Sequence, residues 1–202
     1  MPEAQQDFFG RRYDATGSPV GGEFEINPTT EGAASLVSHF AVADLVDGSF
    51  VVARTEYDPM GDCSGVFAQV YDAFNNPVGP EIRVETTIVP RNLSTSVVGF
   101  GDGGFTVFWE SDPSTGLSSS ILGQRFHSDG STVRNEFSVH IHEGGGGLPS
   151  FEIAELNSGG FVAVWIEPRT DVSGQYYSDV IRRVYNADGS AAGGGLSDSP
   201  SD

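Results

Sequence analysis

Gly101-Asp102-Gly103-Gly104-Phe105-Thr106-Val107-Phe108-Trp109-Glu110 reads as a tight turn that feeds a buried strand. The glycines suit a turn with positive φ, and the near-continuous apolar run behind them suits a strand covered on both faces. The stretch has two echoes, Asp47-Gly48-Ser49-Phe50-Val51-Val52-Ala53-Arg54 upstream and Ser158-Gly159-Gly160-Phe161-Val162-Ala163-Val164-Trp165 downstream. Phe50, Phe105 and Phe161 stand 55 and 56 residues apart. A pattern that returns at such an interval marks a tandem repeat of one supersecondary unit.

Working outward, the other strands of the unit recur as well. Phe8 to Asp14, Val66 to Asp72, Ile121 to His127 and Val180 to Asn186 are four copies of one strand, anchored by Tyr13, Tyr71, Phe126 and Tyr185. A polar turn follows each copy. Then comes a strand in which apolar residues alternate with polar ones: Glu23-Phe24-Glu25-Ile26, Glu81-Ile82-Arg83-Val84 and Glu136-Phe137-Ser138-Val139. Alternation with a period of two is the mark of a half-buried strand. The last copy offers only Gly193-Gly194-Gly195-Leu196, so its final strand is expected to be weak or absent. Arg11, Gln69, Gln124 and Arg183 stand two residues before the anchoring aromatics and read as structural groups that hydrogen-bond between neighbouring sheets.

These units predict an all-β fold: a β-propeller-like repeat of four-stranded antiparallel meanders, with three full units of about 56 residues and a half unit. The Phe105–Trp109 run suits the inner strand of a blade. Four blades are the usual minimum for a closed propeller. The expectation therefore includes part of a larger propeller or copies of the chain closing a ring as a homo-oligomer. A β-prism or sandwich array is the alternative. In a closed ring, the offset start of the repeat lets the last strands complete the first sheet. The predicted organisation is a disordered N-terminal segment at 1–7, a single β-repeat domain at 8–196 and a disordered tail at 197–202.

Composition narrows the functional classes. The chain has 10 Lys and Arg against 28 Asp and Glu, a formal charge of −18. Such a field repels nucleic-acid phosphate and anionic membrane surfaces, attracts divalent cations and basic partners, and keeps a β-rich protein soluble. No run approaches the roughly 18 apolar residues of a membrane-spanning helix. Neither nucleic-acid binding nor membrane insertion is expected. The single cysteine, Cys63, lies in a predicted loop with no cation or His beside it to activate its thiol. Met1 to Asp7 has neither the basic region nor the apolar run of a Sec signal. The expectation is export by another route, or a segment cut from a longer chain.

The Gly-Gln-Arg-Phe strand with its turn (Gly123 to Gly130), the Gly-Gly-Glu-Phe strand (Gly21 to Ile26) and the Asp-Gly-Gly-Phe…Trp-Glu hairpin (Asp102 to Glu110) carry a resemblance. The repeat resembles tandem units of large secreted bacterial proteins, many of them RTX-type, with adhesin-like architectures. The resemblance covers about residues 8 to 190. It implies a secreted or cell-surface location and a role in interaction or adhesion. The nonapeptide glycine–aspartate calcium repeat of the RTX class is absent.

Three sets of residues are candidates for chemistry. The acids after the Phe/Trp strand recur: Glu56 and Asp58, Glu110 and Asp112, then Glu167 with Asp171. Placed in loops on one face, they are candidate ligands for calcium, which takes 6–8 oxygens. The competing reading is that Asp-Pro opens a turn and Glu ends a strand. Tyr57, Tyr176 and Tyr177, also placed in loops, are candidates to stack on the sugar rings of a glycan, or else lie partly buried under those loops. His140-Ile141-His142 puts two imidazoles on one side of a strand, with Glu143 as a third metal ligand. Only one copy of the repeat has this pair, and chance accounts for a two-ligand motif of this kind more readily. Asp14, Asp129 and Asp188 read as Asx turns. No residue is assigned a catalytic role. The expected function is a non-catalytic extracellular interaction, adhesion or glycan-binding module, stabilised by calcium if those acids converge. An extracellular polysaccharide hydrolase and a self-assembling structural protein are the alternatives.

Overall fold

The computed structural model describes residues 8–26, 36–57, 63–86, 91–112, 118–143 and 150–193. Their strands are β1 (Phe9–Tyr13), β2 (Pro19–Glu25), β3 (Leu36–Asp44), β4 (Phe50–Tyr57), β5 (Cys63–Tyr71), β6 (Pro77–Arg83), β7 (Arg91–Gly99), β8 (Phe105–Asp112), β9 (Ser119–Phe126), β10 (Phe137–His142), β11 (Phe151–Glu155), β12 (Phe161–Thr170) and β13 (Tyr176–Tyr185). They form four sheets: β1-β2, β3-β4-β5-β6, β7-β8-β9-β10 and β11-β12-β13. Every pairing is antiparallel. The described residues hold no α-helix and one 3₁₀ turn, Val46–Gly48. Cys63 opens β5 instead of lying in a loop.

The Asp-Gly-Gly-Phe hairpin shows why its two glycines differ. Gly103 has φ +86° and closes the turn by donating its N–H to the Phe100 carbonyl. Gly104 has an ordinary φ, yet a Cβ there would sit 2.6 Å from the Phe126 carbonyl oxygen. The first glycine is required by conformation and the second by close approach of the next strand. Gly159 (φ +87°) and Gly160, which faces the Tyr185 carbonyl, repeat the arrangement.

The sheets stack face to face in chain order. The β1-β2 hairpin lays Phe24 on Phe50 and Tyr71, with ring centroids 5.5 and 5.2 Å apart. Sheets two and three share a core that includes Val51, Ala53, Val66, Val84, Phe105, Val107, Trp109 and Phe126. Sheets three and four share another that includes Phe108, Ile121, Phe137, Val139, Phe161, Trp165 and Tyr185. Each interface holds the same pair of stacked rings, one from the strand-opening Phe and one from the anchoring aromatic. These are Phe50–Tyr71 at 5.1 Å, Phe105–Phe126 at 5.2 Å and Phe161–Tyr185 at 4.9 Å. The alternating strand of the preceding sheet covers them with Phe24, Ile82 or Phe137.

Several expectations are corrected. β8 is buried on both faces, but β7 takes the end of the sheet, packing against β3 on one side and β11 on the other. β8 and β9 are hydrogen-bonded along both edges, whereas β7 and β10 are the outer strands of this sheet. The first hairpin remains a two-stranded sheet, so strands β11 to β13 do not complete it. Among the described residues the last unit has three strands, and an isolated bridge, Tyr185 with Ala191, stands where a fourth would begin. Gln69 and Gln124 do not tie neighbouring sheets together. Gln69 donates to the Val70 and Val78 carbonyls, and Gln124 to those of Arg125 and Arg134, within or beside their own sheets. Segments 1–7 and 197–202, expected to be disordered, lie outside the described residues.

Candidate functional site

β10 carries a bulge between Ser138 and His140. Strict alternation from Phe137 would send Val139 and Ile141 inward and both histidines out. The extra residue shifts the alternation by one place. Val139 is buried, Ile141 is 56% exposed, and His140 and His142 turn toward the fourth sheet. There they meet Glu167 of β12. His140 Nε2 lies 2.8 Å from Glu167 Oε2 and His142 Nδ1 lies 3.0 Å from Glu167 Oε1. Trp165 donates its indole N–H to Glu167 Oε2 at 3.0 Å, and its ring stacks on His140 with centroids 4.5 Å apart.

The three side chains are largely buried, with exposures of 16%, 9% and 15% for His140, His142 and Glu167. Burial opposes ionisation of Glu167, but hydrogen bonds from His142, Trp165 and His140 outweigh it and hold the carboxyl below its usual range. Burial lowers the His140 pKa; Glu167 pulls it back up, while Arg183 and His142 add to the lowering. Arg183 itself sits 5.8 Å from the centroid of the Trp165 ring. Ser119, directly opposite His142 in the β9–β10 ladder, is 2% exposed, and its Oγ has no hydrogen-bond partner among the described residues.

Among the described residues, these are the only three His, Cys, Asp or Glu side chains whose ligand atoms gather at one point, all within 4.8 Å of one another. The recurrent acids sit elsewhere. Glu56, Glu110 and Glu167 are strand residues of β4, β8 and β12, not loop residues. Glu56 accepts from Arg54 Nε at 2.6 Å. Glu110 is buried in β8, and Asp112 ends the same strand. Asp171 accepts from the Ser173 and Gln175 N–H groups in the turn after β12, and Asp58 lies outside the described residues. Glu143, next to His142, is exposed and is not part of the cluster.

Of the tyrosines, Tyr57 ends β4 and is half-buried. Tyr176 and Tyr177 open β13 and are 84% and 47% exposed. Asp14, Asp129 and Asp188 each accept from the residue two places on, and so form Asx turns. A cleft of about 440 Å³ separates the first hairpin from the second sheet and is lined by Arg12, Phe24, Val42, Asp44 and Phe50 among others.

No family model matches the chain, and neither does any curated protein. Among solved structures, an endo-arabinase from Bacteroides thetaiotaomicron is similar, at 16% identity and a TM-score of 0.45. The match covers 81% of this chain and 61% of that one, so the chain spans less than two thirds of its length.

Proposed function

We propose that the chain is a non-catalytic interaction module of a secreted or cell-surface protein, built as a partial β-propeller, that binds an extracellular glycan. One observation carries this reading. The β12–β13 hairpin runs past the end of β11. Phe151 is paired with Trp165, whereas Glu167 to Thr170 pair, among the described residues, with Tyr176 to Asp179 alone. The projecting end holds Val172, Tyr176 and Tyr177, which are 110%, 84% and 47% exposed. Aromatic side chains left uncovered on a projecting hairpin offer an apolar body with a polar edge, the surface a sugar ring stacks on. The recurrent acids support the same reading, because Glu56 and Asp171 bond to their own scaffold.

The test is retention on immobilised polysaccharides by the protein and by its Tyr176→Ala/Tyr177→Ala variant. Retention that the variant loses supports the hairpin as the binding element. Equal retention of both places the ligand elsewhere, the cleft beside Arg12 being the next region to probe.

A further inference from the structure

We propose that His140, His142 and Glu167 form a binding site for a divalent transition metal of the zinc type, which clamps the third sheet to the fourth. This is independent of glycan binding. Two imidazoles and one carboxylate are a donor set suited to zinc, whereas calcium and magnesium take oxygen ligands. The ligand atoms are already gathered. Two ligands on one tetrahedral zinc, each at about 2.0–2.2 Å, lie roughly 3.3–3.5 Å apart. Here the His-to-Glu167 contacts are 2.8 and 3.0 Å, and all three groups fall within 4.8 Å. Small side-chain rotations open that space. Each imidazole would present a lone pair in place of an N–H by carrying its proton on the other ring nitrogen.

The surroundings supply what a metal site needs beyond its ligands. Trp165 fixes Glu167 through its indole N–H and packs flat against His140. Groups of this kind orient metal ligands and tune their affinity. The Ser119 hydroxyl, buried and without a partner among the described residues, is opposite His142 in the ladder. It offers a hydrogen bond to a water in the fourth coordination position. The combination occurs in one copy of the repeat. Glu85 stands at the place of His140 in the second sheet, and Ser111 at that of Glu167 in the third. The two halves of the site come from β10 and β12, so a bound ion adds a link between two sheets that also meet through apolar packing, the Tyr185 hydroxyl and Arg134, which donates to the Asp188 carbonyl.

The test is titration of the full chain with zinc chloride by calorimetry, with cobalt(II) as a spectroscopic probe. The expected results are one ion per chain, an intense visible cobalt band of tetrahedral coordination, and a higher melting temperature with zinc than with EDTA. His140→Gln/His142→Gln and Glu167→Gln should abolish all three. Trp165→Phe should weaken binding about 10–100-fold while keeping the cobalt band. His127→Gln, on an exposed turn, should change nothing. The cobalt band reads ligation even if a variant is less stable. Failure of the wild-type chain to bind zinc or cobalt, or an unchanged stoichiometry and spectrum in the double His variant, overturns the proposal.

Discussion

The Tyr185 hydroxyl donates to the Val139 carbonyl at 2.7 Å, crossing from the fourth sheet to the third. Tyr71 does the same at the first interface, reaching from the second sheet to the Ile26 carbonyl at 3.2 Å and that of Glu25 at 3.3 Å. Ile26 and Val139 hold matching places in the repeat. The middle interface has Phe126 at the anchoring position and no hydroxyl to offer. Tyr185→Phe removes a donor from a buried carbonyl, and a loss of about 1–2 kcal/mol is expected in urea unfolding. A change below the error of that measurement would show that the tie contributes nothing.

These tyrosines also set the alkaline limit of stability. Burial pushes the Tyr71 pKa up to about 12, and burial raises that of Tyr185 as well. An exposed tyrosine in the unfolded chain titrates near pH 10. A raised folded pKa means that the folded state holds its proton more tightly. The stabilisation is therefore fully present below about pH 10 and is lost as pH rises toward 12. Tyrosinate absorbance should show some of the six tyrosines ionising only with unfolding. Complete ionisation near pH 10 in a chain that remains folded would contradict this.

At Gly99 the end of β7 comes close to the end of β3. A Cβ at Gly99 would lie 2.1 Å from the Asp44 carbonyl oxygen and 3.1 Å from Leu45. Neither backbone can move without disturbing its sheet, so Gly99→Ala should cost about 1–3 kcal/mol. At Gly101, two residues on, a Cβ would meet nothing within 4 Å. Gly101→Ala should stay within about 0.5 kcal/mol of the parent. Equal effects of the two substitutions would refute the close-approach argument.

Phe161 is fully buried among Phe108, Phe137 and Tyr185. Phe161→Ala should cost about 3–5 kcal/mol, because both transfer energy and packing are lost. Phe74, 83% exposed on a turn, is the control, and Phe74→Ala should be near neutral. Thermal or urea unfolding of the pair distinguishes a packed interface from loosely associated sheets.

Much of the fold was legible because the repeat states it several times. The glycine turns, the stacked aromatic pairs and the alternating strands each recur where the sequence places them. The site was less legible, for two physical reasons. The acids recur after the Phe/Trp strand, but the face each one takes is counted from the opening phenylalanine. Glu56 and Glu167 fall at the same step after Phe50 and Phe161, while Glu110 falls one step earlier after Phe105 and so takes the other face. The second reason is the β10 bulge. Nothing in Phe137-Ser138-Val139-His140 announces that one residue will be left unpaired, yet that residue decides which side the histidines face. The His140–Ile141–His142 spacing was the available signal. Its partner Glu167 lies 27 residues from His140, on a neighbouring sheet, and only the stacking order brings them together.

The claim that this chain binds a glycan without reacting is tested most directly by one mixture read two ways. The protein is incubated with each of a panel of soluble polysaccharides. Its electrophoretic retardation and the release of new reducing ends are measured on the same sample. The account predicts retardation by at least one polysaccharide, lost in Tyr176→Ala/Tyr177→Ala, with no reducing ends above the protein-free control. Release of reducing ends that scales with protein concentration, or no retardation across the panel, would contradict it.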